Sequence, residues 1–154
     1  MVQALDDLFS SFDEFADRHG LEKIKTIGDA YMAAAGIPVP RPDHAEAVAM
    51  MALAIRDEVD GRFDPEGAPL AIRIGIDSGP VVAGVIGRKK FIYDLWGDTV
   101  NTASRMESQR VPGRIQVTQR TRQRLESRYR FERRGEIDVK GKGEMVTYFL
   151  VGKR

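Results

Sequence analysis

The sequence predicts an α/β fold, an α+β sandwich in which helices pack on a mixed or antiparallel sheet. Two observations predict it. Stretches with helical periodicity alternate along the chain with stretches of strand periodicity, rather than forming separate blocks. In addition, 42% of the 154 residues are hydrophobic, which is enough for one packed core. We therefore expect residues 1–154 to form a single domain.

The first half of the chain predicts two helices with a strand hairpin between them. In order, these are a helix over 3–19, strands over 21–28 and 30–37, and a helix over 43–59. Apolar residues recur at intervals of three and four in both helices, and Gly20 ends the first. Gly28-Asp29 is a typical tight turn between strands. Asp43 and Glu46 predict a capping box for the second helix.

The second half predicts six strands and two helices. The strands are expected over 70–77, 81–86, 91–96, 114–118, 129–140 and 144–152, and the helices over 99–108 and 118–128. Apolar residues alternate with others from Leu70 to Ile76, as in a strand with one buried face. Pro112-Gly113 ends the first of these helices. Gly141 and Gly143 supply the turn of a closing hairpin.

Composition and missing motifs exclude several classes of protein. Cysteine is absent, which rules out disulfides, thiolate metal sites and cysteine nucleophiles. No apolar run approaches the ~20 residues of a membrane span, and the first 15 residues are too acidic for a signal peptide. Nucleotide-binding glycine loops and the HExxH motif are missing, and His19 and His44 are isolated. We expect a cytoplasmic domain that makes no membrane contact itself, either free or tethered to membrane or sensor segments outside this sequence.

Charge is distributed unevenly along the chain. The net charge of +1 combines −7 over residues 1–60 with +8 over residues 61–154. Solvated faces of opposite sign are one explanation. A phosphate-bearing partner bound by the second half, or head-to-tail association of two copies, is the other.

Five residues have side chains that are unusual for their positions. Asp29 lies in a turn, where a carboxylate is either ordinary turn chemistry or an oxygen ligand for Mg²⁺ or Mn²⁺. Lys25 and Asp94 lie within apolar strands, where they are either structural charges or binding groups. Asn101 and Arg105 share a helix face. That face is either simply exposed or directs an amide and a guanidinium at a ribose and a phosphate.

Two further positions offer cations to a phosphate. Lys140 precedes Gly141 in the closing hairpin turn, where the backbone allows a ligand to approach closely. Arg114 opens a strand directly after Pro112-Gly113. The alternatives are a solvated turn for Lys140 and an ordinary loop cation for Arg114.

Taken together, five segments resemble the catalytic domain of the class III nucleotidyl cyclases. They are LEKIKTIGDAYMAAAG (Leu21–Gly36), RIGIDSGPVVAGVIG (Arg73–Gly87), YDLWGDTVNTASRME (Tyr93–Glu107), RIQVT (Arg114–Thr118) and VKGKG (Val139–Gly143). The matches follow the family's order along nearly the whole chain. Each segment alone is a weak signal, but five in register form a strong one.

The resemblance implies a ferredoxin-like core that works as a head-to-tail homodimer with active sites at the interface. The implied reaction converts ATP to 3′,5′-cyclic AMP and pyrophosphate, with two divalent cations, Mg²⁺ or Mn²⁺. By motif position, Asp29 is one of two metal carboxylates. Asn101 orients the ribose, and Arg105 stabilises charge that develops in the transition state.

The remaining assignments concern the base and the phosphates. By the same resemblance, Lys25 and Asp94 read the base, Lys140 binds phosphate, and Arg114 is a second phosphate contact from the partner chain. A donor-only lysine beside an acceptor-only carboxylate suits adenine, whose edge offers an acceptor and a donor. We therefore expect ATP to be preferred to GTP.

The sequence departs from the family pattern at its start. In the family, the other metal carboxylate lies on an opening strand, before the helix with which this sequence begins. We therefore expect an N-terminally incomplete domain with weaker metal binding and lower turnover. An inert, cyclase-like module that only dimerises or binds nucleotide is the main alternative. A ferredoxin-like RNA-binding domain is a third, although no RNP-like aromatic run supports it, and we expect no nucleic-acid partner.

Overall fold

The structure, a computed structural model, describes residues 2–86, 92–108, 113–139 and 141–154. Over these residues the fold is mixed α+β, as the sequence predicts. The helices are α1 (Val2–His19), α2 (His44–Val59), α3 (Asp98–Ser108) and α4 (Gln119–Leu125). The strands are β1 (Glu22–Ile27), β2 (Ala30–Ala34), β3 (Ile74–Ile76), β4 (Val82–Ile86), β5 (Ile92–Trp96), β6 (Ile115–Thr118), β7 (Tyr129–Val139) and β8 (Gly143–Lys153).

These elements group into two compact units. The first unit comprises Met1–Ala71 and Gly84–Asp94, and the second comprises Ile72–Ala83 and Leu95–Arg154. The paired strands β4 and β5 contribute residues to both units. Within the described ranges, none of the helices is both long enough and apolar enough to span a bilayer.

In the first unit, α1 packs against α2, and β1 pairs with β2 as an antiparallel hairpin. Phe12 and Ala16 on α1 are buried, as are Ala49, Ala52 and other residues on α2. The ring of Phe12 packs against Phe9 on the same helix and Tyr31 on the hairpin. The β1–β2 hairpin therefore packs against α1.

The predicted capping box of α2 is wrong. Asp43 precedes the helix, but its side chain makes no cap hydrogen bond. Its carboxylate instead accepts two hydrogen bonds from Arg41, at 2.6 and 2.9 Å. Arg41 also donates to the carbonyl oxygens of His19 and Gly20, at 3.1 Å each. The guanidinium therefore satisfies carbonyls at the end of α1, where helices leave such groups unpaired.

Tyr31 joins the hairpin to α1. Its hydroxyl donates a 2.6 Å hydrogen bond to Oδ1 of Asp13. Its ring lies 5.5 and 5.4 Å from the rings of Phe9 and Phe12. Lys23 forms an ion pair with the same Asp13 carboxylate at 3.2 Å. Burial and the Asp13 hydrogen bond together raise the pKa of Tyr31 above its ordinary value of 10.0.

We expect this raised pKa to limit stability in alkali. Below pH 10 the phenol is neutral in folded and unfolded chains alike, so its full contribution is present. As the pH rises above 10, the unfolded chain loses the proton first, and stability falls. Tyr31→Phe should cost about 1 kcal/mol at pH 7 but lose less stability than wild type between pH 9 and 11. Urea unfolding across this range measures both, and equal alkaline losses would contradict the prediction.

In the second unit, four strands form one sheet in the order β3-β6-β8-β7. Strands β3 and β6 are parallel, whereas β8 is antiparallel to both β6 and β7. The residues of β6 are all buried, because α3 and α4 pack beside it. Two predicted elements are shorter than expected: β3 spans only 74–76, and α4 ends at Leu125 rather than near 128.

Gly75 explains how α3 packs on β3. A Cβ atom at this position would lie 2.2 Å from the backbone nitrogen of Glu107 and 2.5 Å from the carbonyl oxygen of Ala103. Both are backbone atoms of α3. The helix therefore rests directly on the strand backbone, and only glycine leaves room for it.

Candidate functional site

Lys25 and Asp94 form an ion pair in the first unit. Nζ of Lys25, on β1, lies 2.8 Å from Oδ2 of Asp94, on β5. Asp94 is only 8% exposed, and the lysine side chain is half-buried. The structure thus brings together two residues that are 69 positions apart in the sequence.

A β-bulge sets the direction of Lys25. Between the pairs Lys23↔Ala33 and Lys25↔Met32, strand β1 carries one residue more than β2. The additional residue is Ile24, which is buried. A bulge of this kind bends the strand and redirects the side chains that follow it. Polar groups at bulges are often functional, and this one carries a lysine that pairs with a buried carboxylate.

The chemistry of the pair is one donor beside one acceptor. A lysine ammonium can only donate hydrogen bonds, and an ionised carboxylate can only accept them. Because the pair is largely withdrawn from water, a mismatched ligand would leave polar groups unsatisfied, at about 1–3 kcal/mol each. The arrangement therefore fits a ligand edge that presents an acceptor and a donor side by side.

Asp29 lies at the tip of the β1–β2 hairpin. The loop has two residues, Gly28 and Asp29, and joins the paired residues Ile27 and Ala30. Gly28 has a φ of +57°, and glycine with positive φ at the first loop position is typical of a type II′ turn. Asp29 is exposed. Within the described ranges, no hydrogen bond or ion pair engages its carboxylate.

The position of Asp29 suits a divalent cation whose other ligands are water molecules and substrate phosphates. Among the described residues, no three His, Cys, Asp or Glu side chains cluster into a metal site. Mg²⁺ commonly uses one or two carboxylates and completes its shell with water and substrate phosphates. Asp29 fits that role, whereas Asp13 is already engaged by Tyr31 and Lys23. The metal role of Asp29 stays a prediction.

Asn101 and Arg105 lie on α3 in the second unit. They are separated by one helical turn, so they share a face. Asn101 is exposed and Arg105 is partly exposed. Neither side chain forms a hydrogen bond or ion pair with another described residue. Both are therefore available to a ligand that presents a hydroxyl and a phosphate.

Arg114 is held next to β6 by an acid and a ring. Its Nη2 lies 2.7 Å from Oε2 of Glu132, and its guanidinium carbon lies 4.1 Å from the ring centroid of Phe149. The side chain stays 37% exposed. Its cationic face is therefore still accessible, although Glu132 competes for it, and the phosphate role of Arg114 stays a prediction.

Lys140 lies outside the described residues, so its predicted position stays a prediction. Its neighbour Lys142 lies in the β7–β8 turn and forms an ion pair with Asp98, the first residue of α3. The turn is therefore tied to the amino-terminal end of the helix that carries Asn101 and Arg105. The Lys142 ammonium therefore lies next to that helix end.

Sequence reasoning missed two residues of the second unit. Asp77 follows β3 and has a fully buried side chain, to which Arg120 on α4 donates two hydrogen bonds. A carboxylate directly after the apolar run that ends at Ile76 is the signal that could have found it. Its partner lies 43 residues away and has no local signature.

Comparison with known proteins identifies the family. The model of the adenylate and guanylate cyclase catalytic domain matches residues 1–152. An adenylate cyclase of Mycobacterium tuberculosis is 50% identical over the whole chain, which spans 35% of that relative. The beta-2 subunit of rat soluble guanylate cyclase is 46% identical over 98% of the chain, or 22% of that relative. The chain thus spans about a third or less of the length of these curated relatives.

A solved structure agrees. The guanylate cyclase domain of RhGC from Catenaria anguillulae, in complex with GTP, superposes with a TM-score of 0.91. It is 40% identical, and the match covers 97% of this chain and 82% of the other. The resemblance seen in five sequence segments is thereby confirmed. This chain belongs to the family of adenylate and guanylate cyclase catalytic domains.

Proposed function

We propose that this chain is an adenylate cyclase catalytic domain that converts ATP to 3′,5′-cyclic AMP and pyrophosphate. In this reaction the ribose 3′-hydroxyl loses its proton to solvent, and its oxygen forms a bond to the α-phosphorus. The bond from that phosphorus to the bridging oxygen breaks, and its electron pair leaves with pyrophosphate. Because relatives include adenylate and guanylate cyclases, base preference has to be argued from this chain's own residues. The observation that carries the proposal is the Lys25–Asp94 pair at 2.8 Å.

The pair favours adenine over guanine. The adenine edge presents the N1 acceptor beside the N6 donor, which match Lys25 and Asp94 respectively. Guanine presents the O6 acceptor and the N1 donor in the reverse order. It would place donor against donor and acceptor against acceptor in a partly buried site. Sites built from such hydrogen bonds discriminate strongly between substrates.

The other site residues fit the sugar and the phosphates. Asn101 would hold the ribose, and Arg105 on the same helix face would meet the negative charge that grows on the α-phosphate oxygens. Arg114 and Lys140 would bind the outer phosphates as cations. Asp29 would hold Mg²⁺ or Mn²⁺, which supplies activation of the 3′-hydroxyl and charge neutralisation when bound. The protein's own contribution is chiefly positioning.

The proposed assembly is a head-to-tail homodimer. One chain carries residues for the base and the metal as well as residues for the ribose and the phosphates, so two identical copies suffice. The net charges of −7 over residues 1–60 and +8 over residues 61–154 favour such an arrangement. Specific activity should then rise with protein concentration, in step with the dimer fraction measured by analytical ultracentrifugation.

The direct test is product formation from ATP and from GTP with Mn²⁺ present. Cyclic AMP as the main product supports the proposal. Cyclic GMP as the main product would replace it with a guanylate cyclase. Nucleotide binding without turnover would favour the inert module instead.

Exchanging the hydrogen-bond donor and acceptor at positions 25 and 94 should reverse the preference for ATP over GTP. In the double variant Lys25→Glu/Asp94→Ser, the glutamate accepts from guanine N1 and the serine donates to O6. We expect the ATP-to-GTP ratio of kcat/KM to fall by about 100-fold, because two polar matches become mismatches. Lys23→Glu on the same strand is the matched control and should leave the ratio unchanged. An unchanged ratio in the double variant would remove Lys25 and Asp94 from base recognition.

A further inference from the structure

Asp77 is a fully buried carboxylate at the end of β3, with 0% of its side chain exposed. It accepts three hydrogen bonds. Thr118 donates at 2.6 Å, and Arg120 donates through Nε at 2.8 Å and through Nη2 at 2.5 Å. A two-pronged contact between guanidinium and carboxylate fixes the orientation of both groups. Arg120 is 43% exposed, whereas the Asp77 side chain is buried, so loss of Arg120 would leave a buried carboxylate charge without its cation.

The same guanidinium reaches the start of α3. Nη2 of Arg120 lies 3.3 Å from Oγ1 of Thr99, and that hydroxyl donates a 2.7 Å hydrogen bond to the carbonyl oxygen of Pro80. A Cβ at Gly79 would lie 2.8 Å from Nη1 of Arg120, so the loop backbone fits closely against the guanidinium. One side chain of α4 thus contacts the first turn of α3 and the loop after β3.

A chain of buried hydroxyls supports this arrangement. Thr118 lies 3.0 Å from Thr121, measured between the Oγ1 atoms, and Thr121 lies 2.9 Å from Oγ of Ser78. All three residues are buried. Fully satisfied polar networks in the interior make one arrangement of their elements strongly preferred. None of these residues is among those assigned to the base, the ribose, the phosphates or the metal.

We infer that Asp77 and Arg120 are positioning residues that hold the first turn of α3, so that Asn101 and Arg105 keep their reactive orientation. The inference rests on the proposed function, which gives those two residues their roles. Thr99 precedes Asn101 by two positions, so a rotation of the first turn displaces the amide directly. Displacements of about 1 Å are enough to lower rates by about 100-fold. Loss of the network should therefore lower kcat more than it changes KM for ATP.

Two variants weaken the hydrogen bonds among Asp77, Arg120 and Thr99 without creating a cavity in the core. Arg120→Lys keeps the positive charge but cannot bind Asp77 with two parallel hydrogen bonds. Thr99→Val keeps the shape of the side chain but removes the hydroxyl. In each we expect kcat to fall about 10- to 100-fold, KM for ATP to change less than threefold, and amide hydrogen exchange over residues 98–105 to accelerate. Thr99→Ser, which restores the hydroxyl, should recover kcat.

Arg124→Lys is the matched control, since it makes the same substitution at an exposed position of the same helix. It should change neither kcat nor exchange. The inference is overturned if Arg120→Lys and Thr99→Val keep both wild-type kcat and wild-type exchange in α3. It is also overturned if Thr99→Ser is as impaired as Thr99→Val. Should the wild type turn over only GTP, or no nucleotide, the proposed function fails while the exchange measurements still decide this inference.

Discussion

Asp29→Ala is expected to lower the rate of cyclic AMP formation by about 100- to 1,000-fold with the fold intact. The carboxylate lies exposed on a two-residue turn, so its removal leaves no cavity and no unpaired buried group. Under the proposed function, the variant would lose a charged oxygen ligand of the metal, and preorganised electrostatic groups have effects of this size. The measurement is the initial rate with ATP over a range of Mn²⁺ concentrations.

The control for this variant is Asp57→Ala, which removes an exposed carboxylate from α2 in the same unit. It should retain the wild-type rate and the wild-type dependence on Mn²⁺. If Asp29→Ala retained them as well, the metal role of Asp29 would be wrong. A wild-type melting temperature in both variants would show that folding does not explain the difference.

Gly75→Ala should lower the free energy of unfolding by about 3 kcal/mol or more. The new methyl group would overlap the backbone of α3 at Glu107 and Ala103, and backbone atoms cannot move aside as the end of a side chain can. The strand or the helix must shift instead. For a chain of this length such a loss corresponds to a melting temperature lower by about 6–12 °C. Thermal unfolding followed by circular dichroism measures it.

Gly152→Ala provides the comparison on the same sheet. A Cβ there would meet only Nη2 of Arg130, at 3.3 Å, and that guanidinium can move away. We expect a melting temperature within 2–3 °C of wild type, the range that is usual for a mild substitution. Equal losses in the two variants would mean that the close approach of α3 to Gly75 is not what limits stability.

Local pattern was sufficient to predict most of the secondary structure. The four helices and the strand hairpins follow from the spacing of apolar residues and from glycine turns, because such signals act over a few residues. Long-range pairing could not be predicted in this way. Asp43 had the right residue type and spacing for a cap, yet Arg41 takes its carboxylate. Whether an aspartate caps a helix or forms an ion pair depends on which hydrogen-bond donors the tertiary structure brings near its carboxylate.

In the candidate site, too, residue types could be predicted from the sequence, whereas long-range contacts could not. The sequence places the charges of Lys25 and Asp94 within apolar strands and that of Asp29 in a turn. Only the tertiary structure shows that Lys25 and Asp94 are in contact. Asp77 and Arg120 were missed because an ion pair between residues 43 positions apart leaves no periodic pattern in the sequence. The assigned roles of the site residues still await experiment. Their types were visible in the sequence, whereas their geometry required the tertiary structure.

The bulge at Ile24 makes β1 one residue longer than the segment of β2 with which it pairs. Side chains on a strand alternate between two faces, so a change of one residue in length exchanges the faces of everything beyond it. Deletion of Ile24 would make the hairpin more regular and would change how the residues before the bulge face relative to Lys25 and the residues after it. Among homologues, the length of this short strand should therefore vary less than its sequence. Under the proposed function, this irregularity in the hydrogen-bond ladder would help to keep the base preference constant.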